Sequence, residues 1–263
     1  MCNAHLPTQP PNRVLYLKSL IQREAPLQLL TTYDLLILPT FPSPSCREFP
    51  PQCRTYYVMP AIVLQNIRKL GVLGGTFDPI HYGHLQIAEE ARGRFALDAV
   101  LFIPAGEPPH KPHGQASAEQ RFVMTELATA DHPQFAVSRL EIDRPGAAYT
   151  IDTLQALREQ YPEAALYLIM GADMAMDFPT WREPARILSL ARVIAVTRPG
   201  VPEARLRRHL ATPAMQGVEL LVAPGLDLSS TELRRRAREG KSLRYLTPDA
   251  VIGFIEKEGL YRV

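Results

Sequence analysis

The sequence predicts an α/β protein with a doubly wound, mostly parallel sheet, and two observations support this prediction. From about residue 67 onward, short apolar runs alternate with helical patterns of apolar residues, as in repeated strand–helix units. Runs such as Ala99–Ile103 and Leu166–Met170 are apolar throughout, which is typical of parallel strands covered on both faces. In such a sheet ligands bind beyond the carboxyl ends of the strands, and the polar motifs of this chain follow these runs.

The first strand of this region, Lys69–Leu73, leads into a glycine turn and a helix start. Gly74 and Gly75 let a ligand approach the backbone without a clash against Cβ. The tight loop Thr76–Pro79 precedes a helix expected from about His84 to Phe95. Free N–H groups at a helix N-terminus bind anions, so this turn is predicted to hold a phosphate, although it matches neither the P-loop nor the dinucleotide fingerprint.

The remaining elements follow from the same periodicities. Further strands are predicted at Ala99–Ile103, Phe135–Val137, Leu166–Met170, Val193–Thr197 and Val218–Val222. Further helices are predicted from the capping box Ser117–Gln120 to about Ala130, from Tyr149-Thr150 to about Gln160, from Leu228–Glu232 to near Gly240, and from Thr247-Pro248, with Pro248 in the first position, to a stop at Gly259.

Residues 1–66 differ from the regular domain formed by residues 67–263. They are rich in proline and lack a regular hydrophobic period, a composition that rarely builds a packed core. We therefore expect a disordered or loosely packed extension. Two alternatives stay open, namely that translation begins naturally at Met59 or that the segment is a small regulatory or docking element.

Composition limits the classes of function. The chain has 263 residues, 46% of them hydrophobic, and a formal net charge of +2, which is too small to indicate nucleic-acid binding by itself. No apolar run approaches the length of a membrane span, and no signal peptide is visible at the start. Because Cys2, Cys46 and Cys53 all precede the first regular strand, no disulfide or cysteine metal site can serve the regular domain, and we predict a cytoplasmic protein.

Two histidines, His81 and His84, stand at the start of the first helix with a spacing that lets both face one ligand. Such a pair can chelate zinc, and His110 and His113 repeat the spacing, but no cysteine or HExxH-type carboxylate accompanies them. A pair without a chemical role is a second alternative. We favour phosphate contact, because an imidazole donates hydrogen bonds to phosphate oxygens and, as a cation, offsets developing charge.

A second polar motif opens the basic helix near the C-terminal end of the chain. Ser229 and Glu232 alone would form an ordinary helix N-cap, with the following arginines on a solvated face. The hydroxyls of Ser230 and Thr231, with Arg234 one turn later, also form a clamp suited to polyphosphate. Both interpretations are compatible with the sequence at this point.

Further residues that can meet a substrate lie in three other segments. Lys111 lies in the proline-rich loop after the second strand, Thr150 begins a helix, and Asp173 and Trp181 follow the strand Leu166–Met170. The simpler alternatives are a mobile surface loop for Lys111 and a place in the core for Trp181. A flat pyridine ring would nevertheless stack well on the indole of Trp181.

Two of these segments resemble known signatures. GTFDPIHYGH at residues 75–84 resembles the G-T-F-D-P-x-H-x-G-H signature of the nucleotidylyltransferase superfamily, and LSSTELR at residues 228–234 resembles its I-S-S-T-x-I-R signature, with leucine replacing both isoleucines. PPHK, YTIDTL, G-x-D-x-x-x-x-F-x-x-W and R-P-G are similar to the bacterial nicotinate-nucleotide adenylyltransferase family. The chain departs from that family at Arg182, where tyrosine or another polar residue usually follows the tryptophan, and residues 1–66 have no counterpart in its pattern.

The resemblance implies a Rossmann-like nucleotidylyltransferase fold and an enzyme of NAD biosynthesis that transfers the adenylyl group of ATP to nicotinate mononucleotide. It implies catalytic roles for His84, His81 and Arg234. It places ATP on Gly74, Gly75, Thr76, Phe77, His81, His84, Ser230, Thr231 and Arg234, and the mononucleotide on Lys111, Thr150, Asp173, Trp181 and Arg182. Mg²⁺ is implied on the ATP phosphates, with no metal site on the protein.

Three alternatives remain at this stage. A related transferase would use nicotinamide mononucleotide, phosphopantetheine or a cytidylyl donor. A class I aminoacyl-tRNA synthetase shares a His-x-Gly-His element, but this chain is short and has no evident KMSKS-like loop. A catalytically silent nucleotide sensor would keep the fold, although both histidines are present. The sequence predicts no nucleic-acid or membrane partner and gives no oligomeric state.

Overall fold

A computed structural model describes residues 38–39, 56–57, 66–106 and 116–262. The chain divides into two units, residues 1–61 and 62–263. In the first unit, β1 (Leu38–Pro39) pairs antiparallel with β2 (Tyr56–Tyr57). The prediction for the rest of residues 1–66 falls almost entirely outside the described residues and stays a prediction.

The second unit contains a six-stranded sheet in which every neighbouring pair of strands is parallel. The strands lie in the order β5-β4-β3-β6-β7-β8. Their bounds are β3 Lys69–Gly75, β4 Ala99–Pro104, β5 Phe135–Val137, β6 Ala165–Gly171, β7 Ala191–Val196 and β8 Val218–Leu221. The chain winds outward in one direction from β3 to β5 and in the other from β6 to β8, so the switch point lies beyond the carboxyl ends of β3 and β6. The predicted doubly wound parallel sheet is confirmed.

Eight helices lie in the described part of the second unit. They are α1 Tyr82–Phe95, α2 Ala118–Thr129, α3 Thr150–Gln160, α4 Ala172–Asp177, α5 Pro184–Leu190, α6 Glu203–Leu210, α7 Ser230–Arg238 and α8 Asp249–Lys257, with short 3₁₀ turns at Phe178–Thr180 and Pro213–Met215. The sequence predicted α1, α2, α3, α7 and α8. It missed α4, α5 and α6, which have at most eight residues and none of which has Ser, Thr, Asp or Asn at its N-cap position.

Strand ends differ from the prediction by one or two residues, for example in β3 and β7, and the starts of two helices also differ. Helix α1 begins at Tyr82, ahead of the expected start near His84, because His81 already serves as the N-cap residue with extended backbone. Pro248 is the N-cap of α8 and not its first helical residue. Among the described helices, none has the length and apolar character that crossing a membrane requires.

Apolar residues cover both faces of the sheet. One face carries Val100, Phe102, Tyr167, Ile169 and Ile194 and packs against α1, α2, α7 and α8. The other face carries Val72, Leu101, Ile103, Leu168 and Val193 and packs against α3, α4, α5 and α6. This three-layer arrangement explains why the strands are apolar without alternation. Because helices cover both faces of the sheet, the polar motifs lie at the edge formed by the carboxyl ends of the strands.

Candidate active site

Gly74 and Gly75 are the last two residues of β3, paired with β4, and do not form the turn that the sequence predicted. The end of β3 has open space at one glycine and a tightly packed aromatic ring at the other. A Cβ at the exposed Gly74 would meet nothing within 4 Å, whereas a Cβ at Gly75 would lie 2.8 Å from the ring of Phe77. Phe77 is buried and has a positive φ of 50°, a conformation that persists only where the surroundings impose it. Gly75 therefore makes room for Phe77, and Gly74 leaves room for a ligand.

The following turn is anchored to the C-terminal segment of the chain. Asp78 is 3% exposed and precedes a cis peptide bond to Pro79. Its Oδ1 accepts hydrogen bonds from the hydroxyl of Tyr261 (2.6 Å) and from the N–H of Ala116 (3.3 Å). The aspartate of the signature thus has a structural role, since it fixes the turn between β3 and α1.

The two histidines are stacked on each other at the start of α1. Their ring centroids lie 3.8 Å apart with an interplanar angle of 23°, and the ring of Phe77 lies perpendicular to that of His84 with the centroids 5.1 Å apart. The backbone N–H of His81 donates to Nδ1 of His84 (3.2 Å). Because Nδ1 accepts this bond, the proton of a neutral His84 lies on Nε2, which then serves as a donor.

The expectation of free N–H groups at this helix start is wrong at two positions. The N–H of His81 is bonded to His84, and the N–H of Tyr82 donates to the carbonyl of Leu246 (3.1 Å). A local side-chain contact uses the first of these groups, and a tertiary contact with the C-terminal segment uses the second. Side chains must therefore supply a larger share of any phosphate contact at this point than the helix backbone.

His81 is buried and neutral near pH 7. Burial, and next the positive charge of Arg198, lower the pKa of His81 from 6.5 to about 4. The ring is 3% exposed, and its Nδ1 makes no hydrogen bond with any described residue. The expectation of a cationic imidazole therefore does not hold for His81, and its role toward a ligand stays a prediction.

The start of α7 packs directly against the turn after β3. Ser229 caps the helix by accepting the N–H of Glu232 (3.2 Å). Ser230 donates its hydroxyl to the carbonyl of Pro79 (2.9 Å), and Nη1 of Arg234 donates to the carbonyl of Asp78 (2.7 Å). Two segments about 150 residues apart in sequence are therefore held within hydrogen-bond distance of each other.

Arg234 also reaches the second hydroxyl of this motif. Its Nη2 donates to Oγ1 of Thr231 (3.3 Å), and its Nε is buried without a hydrogen-bond partner among the described residues. A guanidinium with an unsatisfied donor next to two hydroxyls fits an anion. The N-cap and clamp interpretations of this motif are compatible, because Ser229 provides the cap and the next residues face the turn.

A second arginine, Arg198 in the loop after β7, joins the start of α4 to the segment before α7. It donates to Oδ2 of Asp173 (3.2 Å) and to the carbonyl of Leu228 (3.1 Å), and it lines a pocket together with His81, His84 and Thr197. The sequence placed Asp173 among the candidates but did not select Arg198. The available signal was its position in the R-P-G motif just after a strand.

The residues expected to select the second substrate form a separate group. Trp181 is half-buried and meets Phe178 edge-on at 5.4 Å. The guanidinium of Arg182 lies 4.9 Å from the ring centroid of Tyr149, the residue before Thr150, and 3.7 Å from a carboxylate oxygen of Asp152. The structure therefore brings the Trp181–Arg182 segment against the start of α3.

Two other observations complete the site. Lys111 lies outside the described residues, so its place stays a prediction. Within residues 66–106 and 116–262, no group of three or more ligating side chains is placed to hold a metal ion. The sequence also missed Arg121, a buried arginine whose guanidinium donates to backbone carbonyls at the ends of β3 and β4.

Comparison with known proteins defines the class of this chain. Residues 72–236 match the family described as cytidylyltransferase-like. The match spans more than half of the 263 residues, and its fold and paired signature segments agree with the site described above. The chain belongs to the cytidylyltransferase-like family.

Similar sequences narrow the class further. The chain is 53% identical over 195 residues to a protein of Roseiflexus sp. (strain RS-1), covering 73% of this chain and 98% of that protein. It is 48% identical over 194 residues to a protein of Thermus thermophilus, covering 74% of this chain and 100% of that protein. Both are named "Probable nicotinate-nucleotide adenylyltransferase". Within its class, the chain belongs to the nicotinate-nucleotide adenylyltransferase family.

Solved structures share the fold. Plasmodium falciparum nicotinic acid mononucleotide adenylyltransferase complexed with NaAD matches with a TM-score of 0.62 at 19% identity, covering 74% of this chain and 97% of that chain. The same enzyme complexed with APC matches with a TM-score of 0.60. At this identity the likeness establishes the Rossmann-like nucleotidylyltransferase architecture.

Proposed function

We propose that this protein transfers the adenylyl group of ATP to nicotinate mononucleotide, giving nicotinate adenine dinucleotide and pyrophosphate in NAD biosynthesis. The observation that carries the proposal is the contact between the two signature segments. Ser230 and Arg234 bind the carbonyls of Pro79 and Asp78 beside the stacked histidines at the switch point. Membership of the nicotinate-nucleotide adenylyltransferase family supports the choice of acceptor.

The chemistry needs no protein nucleophile. The phosphate of the mononucleotide attacks the α-phosphate of ATP in line, and pyrophosphate leaves. Catalysis then consists of holding the two phosphates in line and stabilising the charge that develops between them. We assign the floor of this site to Gly74, Gly75, Thr76 and Phe77, because the open space above Gly74 allows close approach of a ligand.

We assign the main catalytic role to His84. Its Nδ1 accepts the N–H of His81, which places the proton on Nε2 and makes that atom a donor to the α-phosphate. A donor fixed before the reaction stabilises developing charge without reorganisation. His81, neutral and stacked on His84, holds the second ring in place and assists with the ATP phosphates.

The start of α7 is assigned to the β- and γ-phosphates. Thr231 supplies a hydroxyl that accepts from Arg234 and keeps its own proton for a phosphate oxygen, and Ser230 would turn its hydroxyl from the carbonyl of Pro79 to the phosphate on binding. Arg234 supplies a guanidinium whose buried Nε has no hydrogen-bond partner among the described residues. Since no cluster of ligating side chains lies in the described domain, we propose that Mg²⁺ enters as the MgATP complex. The ion would shield the triphosphate, and the side chains named here would bind and orient it.

The acceptor is assigned to the group around Trp181. The half-buried indole offers a face for the pyridine ring, with Thr150 and Lys111 as polar contacts. Asp173, oriented by Arg198, would accept from a ribose hydroxyl. We propose that Arg182 contributes only weakly to recognition of the nicotinate carboxylate.

The contribution of Arg182 to carboxylate recognition is expected to be small because neighbouring carboxylates and solvent weaken its positive charge. Carboxylate oxygens of Asp152 and Glu183 lie 3.7 and 3.8 Å from its guanidinium, so part of its charge is already offset. About half of the side chain is exposed, and solvent screens it further.

Pyrophosphate release tests the proposed function. Purified full-length protein with ATP and Mg²⁺ is supplied with nicotinate mononucleotide or nicotinamide mononucleotide. We expect strong preference for the acid. Equal use of both would contradict the assigned acceptor pocket, and no turnover with either would favour a nucleotide sensor or another acceptor.

We also propose a cytoplasmic location, because no cysteine follows Cys53 in the chain.

A further inference from the structure

Arg121 lies beneath the proposed active site. It belongs to α2 and is 3% exposed. Its Nη1 donates to the carbonyl of Thr76 (2.8 Å), and its Nη2 donates to the carbonyls of Ala105 (2.6 Å) and Gly106 (3.1 Å). One buried guanidinium thus holds the backbone just beyond the carboxyl ends of two adjacent strands.

The hydrogen bonds of Arg121 connect the segments after β3 and β4 just beyond the point where backbone hydrogen bonds between these strands end. The N–H of Ala105 donates to the carbonyl of Gly75 (2.9 Å) just past the last paired residues of β3 and β4. Past that bond, Arg121 connects Thr76 to Ala105 through its own side chain. The separation of the two chain segments is therefore set by the planar guanidinium fork.

The hydrogen bond from Arg121 to the carbonyl of Thr76 also affects the position of His84. In a planar trans peptide the carbonyl and the following N–H point in opposite directions, so a Thr76 carbonyl directed at Arg121 turns the N–H of Phe77 away from it. Phe77 itself has a positive φ of 50°, and its ring lies perpendicular to that of His84. Arg121 thus helps to impose the backbone conformation on which the ring of Phe77, and through it His84, is placed.

Buried carboxylates balance the charge of this arginine. Burial lowers the pKa of Arg121, and the carboxylates of Asp78 and Glu141 and the hydroxyl of Tyr261 act in the opposite direction. Glu141 accepts a hydrogen bond from Thr153 (2.6 Å), and Asp78 accepts one from Tyr261 (2.6 Å). These neighbours are themselves fixed, so the guanidinium has a defined place.

We infer that Arg121 is a positioning residue for adenylyl transfer: by binding the carbonyls of Thr76, Ala105 and Gly106 it fixes the phosphate-binding turn and His84 for in-line attack. This inference rests on the proposed function. Arg121 touches no reacting atom in it. Its removal is expected to slow the chemical step more than it weakens the binding of either substrate.

The rival explanation is a purely structural role, and the chain offers a matched control. Arg158 of α3 also bridges two backbone carbonyls, those of Ala164 (2.7 Å) and Leu190 (2.8 Å). Ala164 and Leu190 precede β6 and β7, so this second bridge lies at the opposite edge of the sheet. Arg158 donates two hydrogen bonds to carbonyls and is partly buried, whereas Arg121 donates three and is buried, and only Arg121 borders the phosphate-binding turn.

The experiment compares Arg121→Lys with Arg158→Lys. Lysine keeps the charge but cannot reproduce the planar fork. For Arg121→Lys we expect kcat to fall about tenfold or more, with KM for ATP and for nicotinate mononucleotide changed less than about threefold. For Arg158→Lys we expect unchanged kcat and a fall in Tm. Equal effects of the two variants on Tm with wild-type kcat in both would overturn the inference.

A second variant decides the matter if Arg121→Lys does not fold. A Cβ at Gly106 would lie 2.2 Å from the carbonyl oxygen of Glu141, so Gly106→Ala must displace the backbone of Gly106, of Glu141 or of both while leaving the arginine in place. Arg121 binds the carbonyl of Gly106, and the variant is informative once a backbone amide probe shows that this peptide has moved. We expect reduced kcat with little change in KM, and wild-type kcat would refute the inference. Wild-type turnover is measured first, so failure of the proposed function is distinguished from failure of the positioning role.

Discussion

The imidazole of His84 is fixed on two sides before any substrate binds. His81 stacks on its face, and the N–H of His81 fixes its tautomer. We expect His84→Ala to lower kcat by on the order of 10²-fold or more, because one transition-state donor is lost, with the domain still folded. Steady-state kinetics and a thermal melt provide the measurement.

His132 provides the matched control for that substitution. Its ring also stacks on an aromatic neighbour, Phe135, at 3.7 Å, but it pairs with the exposed Glu89 on the surface. His132→Ala should leave kcat unchanged. A near-wild-type kcat for His84→Ala, or an equal loss in both variants, would contradict the catalytic assignment.

Trp181 is partly buried against the apolar residues on the face of the sheet that packs against α3, α4, α5 and α6, and it is partly accessible. We expect Trp181→Ala mainly to raise KM for the mononucleotide, because the stacking face for the pyridine ring is removed. Trp181→Phe keeps a ring and should restore most of the affinity. If Trp181→Ala lowers only Tm, the residue belongs to the core and the acceptor assignment is wrong.

Burial of His81 predicts a pH dependence of stability. Its pKa is about 4 in the folded protein against an ordinary value of 6.5, so between these values the unfolded chain binds the proton first. Stability therefore decreases as pH falls from about 6.5 to 4, by roughly 3 kcal/mol in all. The free energy of unfolding of wild type should fall more steeply over this range than that of His81→Asn.

Buried carboxyl groups act in the opposite direction and must be separated from His81. Burial raises the pKa of Glu126 to about 7, so its contribution to stability is largest at low pH and is lost as pH rises toward 7. Because Glu126 is present in both proteins, the difference between wild type and His81→Asn isolates the histidine. Parallel curves for the two proteins would mean that His81 titrates normally.

At the scale of elements, the start of α7 separates two functions in adjacent serines. Ser229 caps the helix, whereas Ser230 bonds the turn after β3. We expect Ser229→Ala to lower the free energy of unfolding by about 1 kcal/mol with unchanged KM for ATP. Ser230→Ala should raise KM for ATP several-fold with a smaller loss of stability. Urea unfolding and kinetics on both variants measure this, and interchanged effects would show that the cap and the ATP contact have been assigned to the wrong serines.

Helices α4, α5 and α6 show why some elements escape prediction. Each is short, and α5 begins with a proline. Short helices gain their stability from packing against the rest of the fold, here against one face of the sheet, and not from propensity. The longer helices α1, α2 and α3 have 11 to 14 residues, so a helical pattern can be followed over about three turns or more of the sequence.

At the scale of the whole molecule, the described site residues all lie within the second unit. The match to the Roseiflexus relative covers 98% of that protein but 73% of this chain. About a quarter of this chain therefore has no counterpart in the relative. We expect a shorter chain beginning at Met59 to keep kcat and both KM values within about twofold of full length. A large loss of kcat in the shorter chain would show that the preceding residues contribute to the chemistry.

The sequence by itself determined the parallel sheet and the two signature segments, because both depend on local patterns of apolar and polar residues. Tertiary structure decided the neutral state of His81, the place of Arg198 and the bridge formed by Arg121. These properties depend on burial and on contacts between distant positions, such as Thr76 with Arg121 and Pro79 with Ser230. No local pattern encodes which carbonyl a buried arginine will reach, since that is settled only when the strands and helices pack.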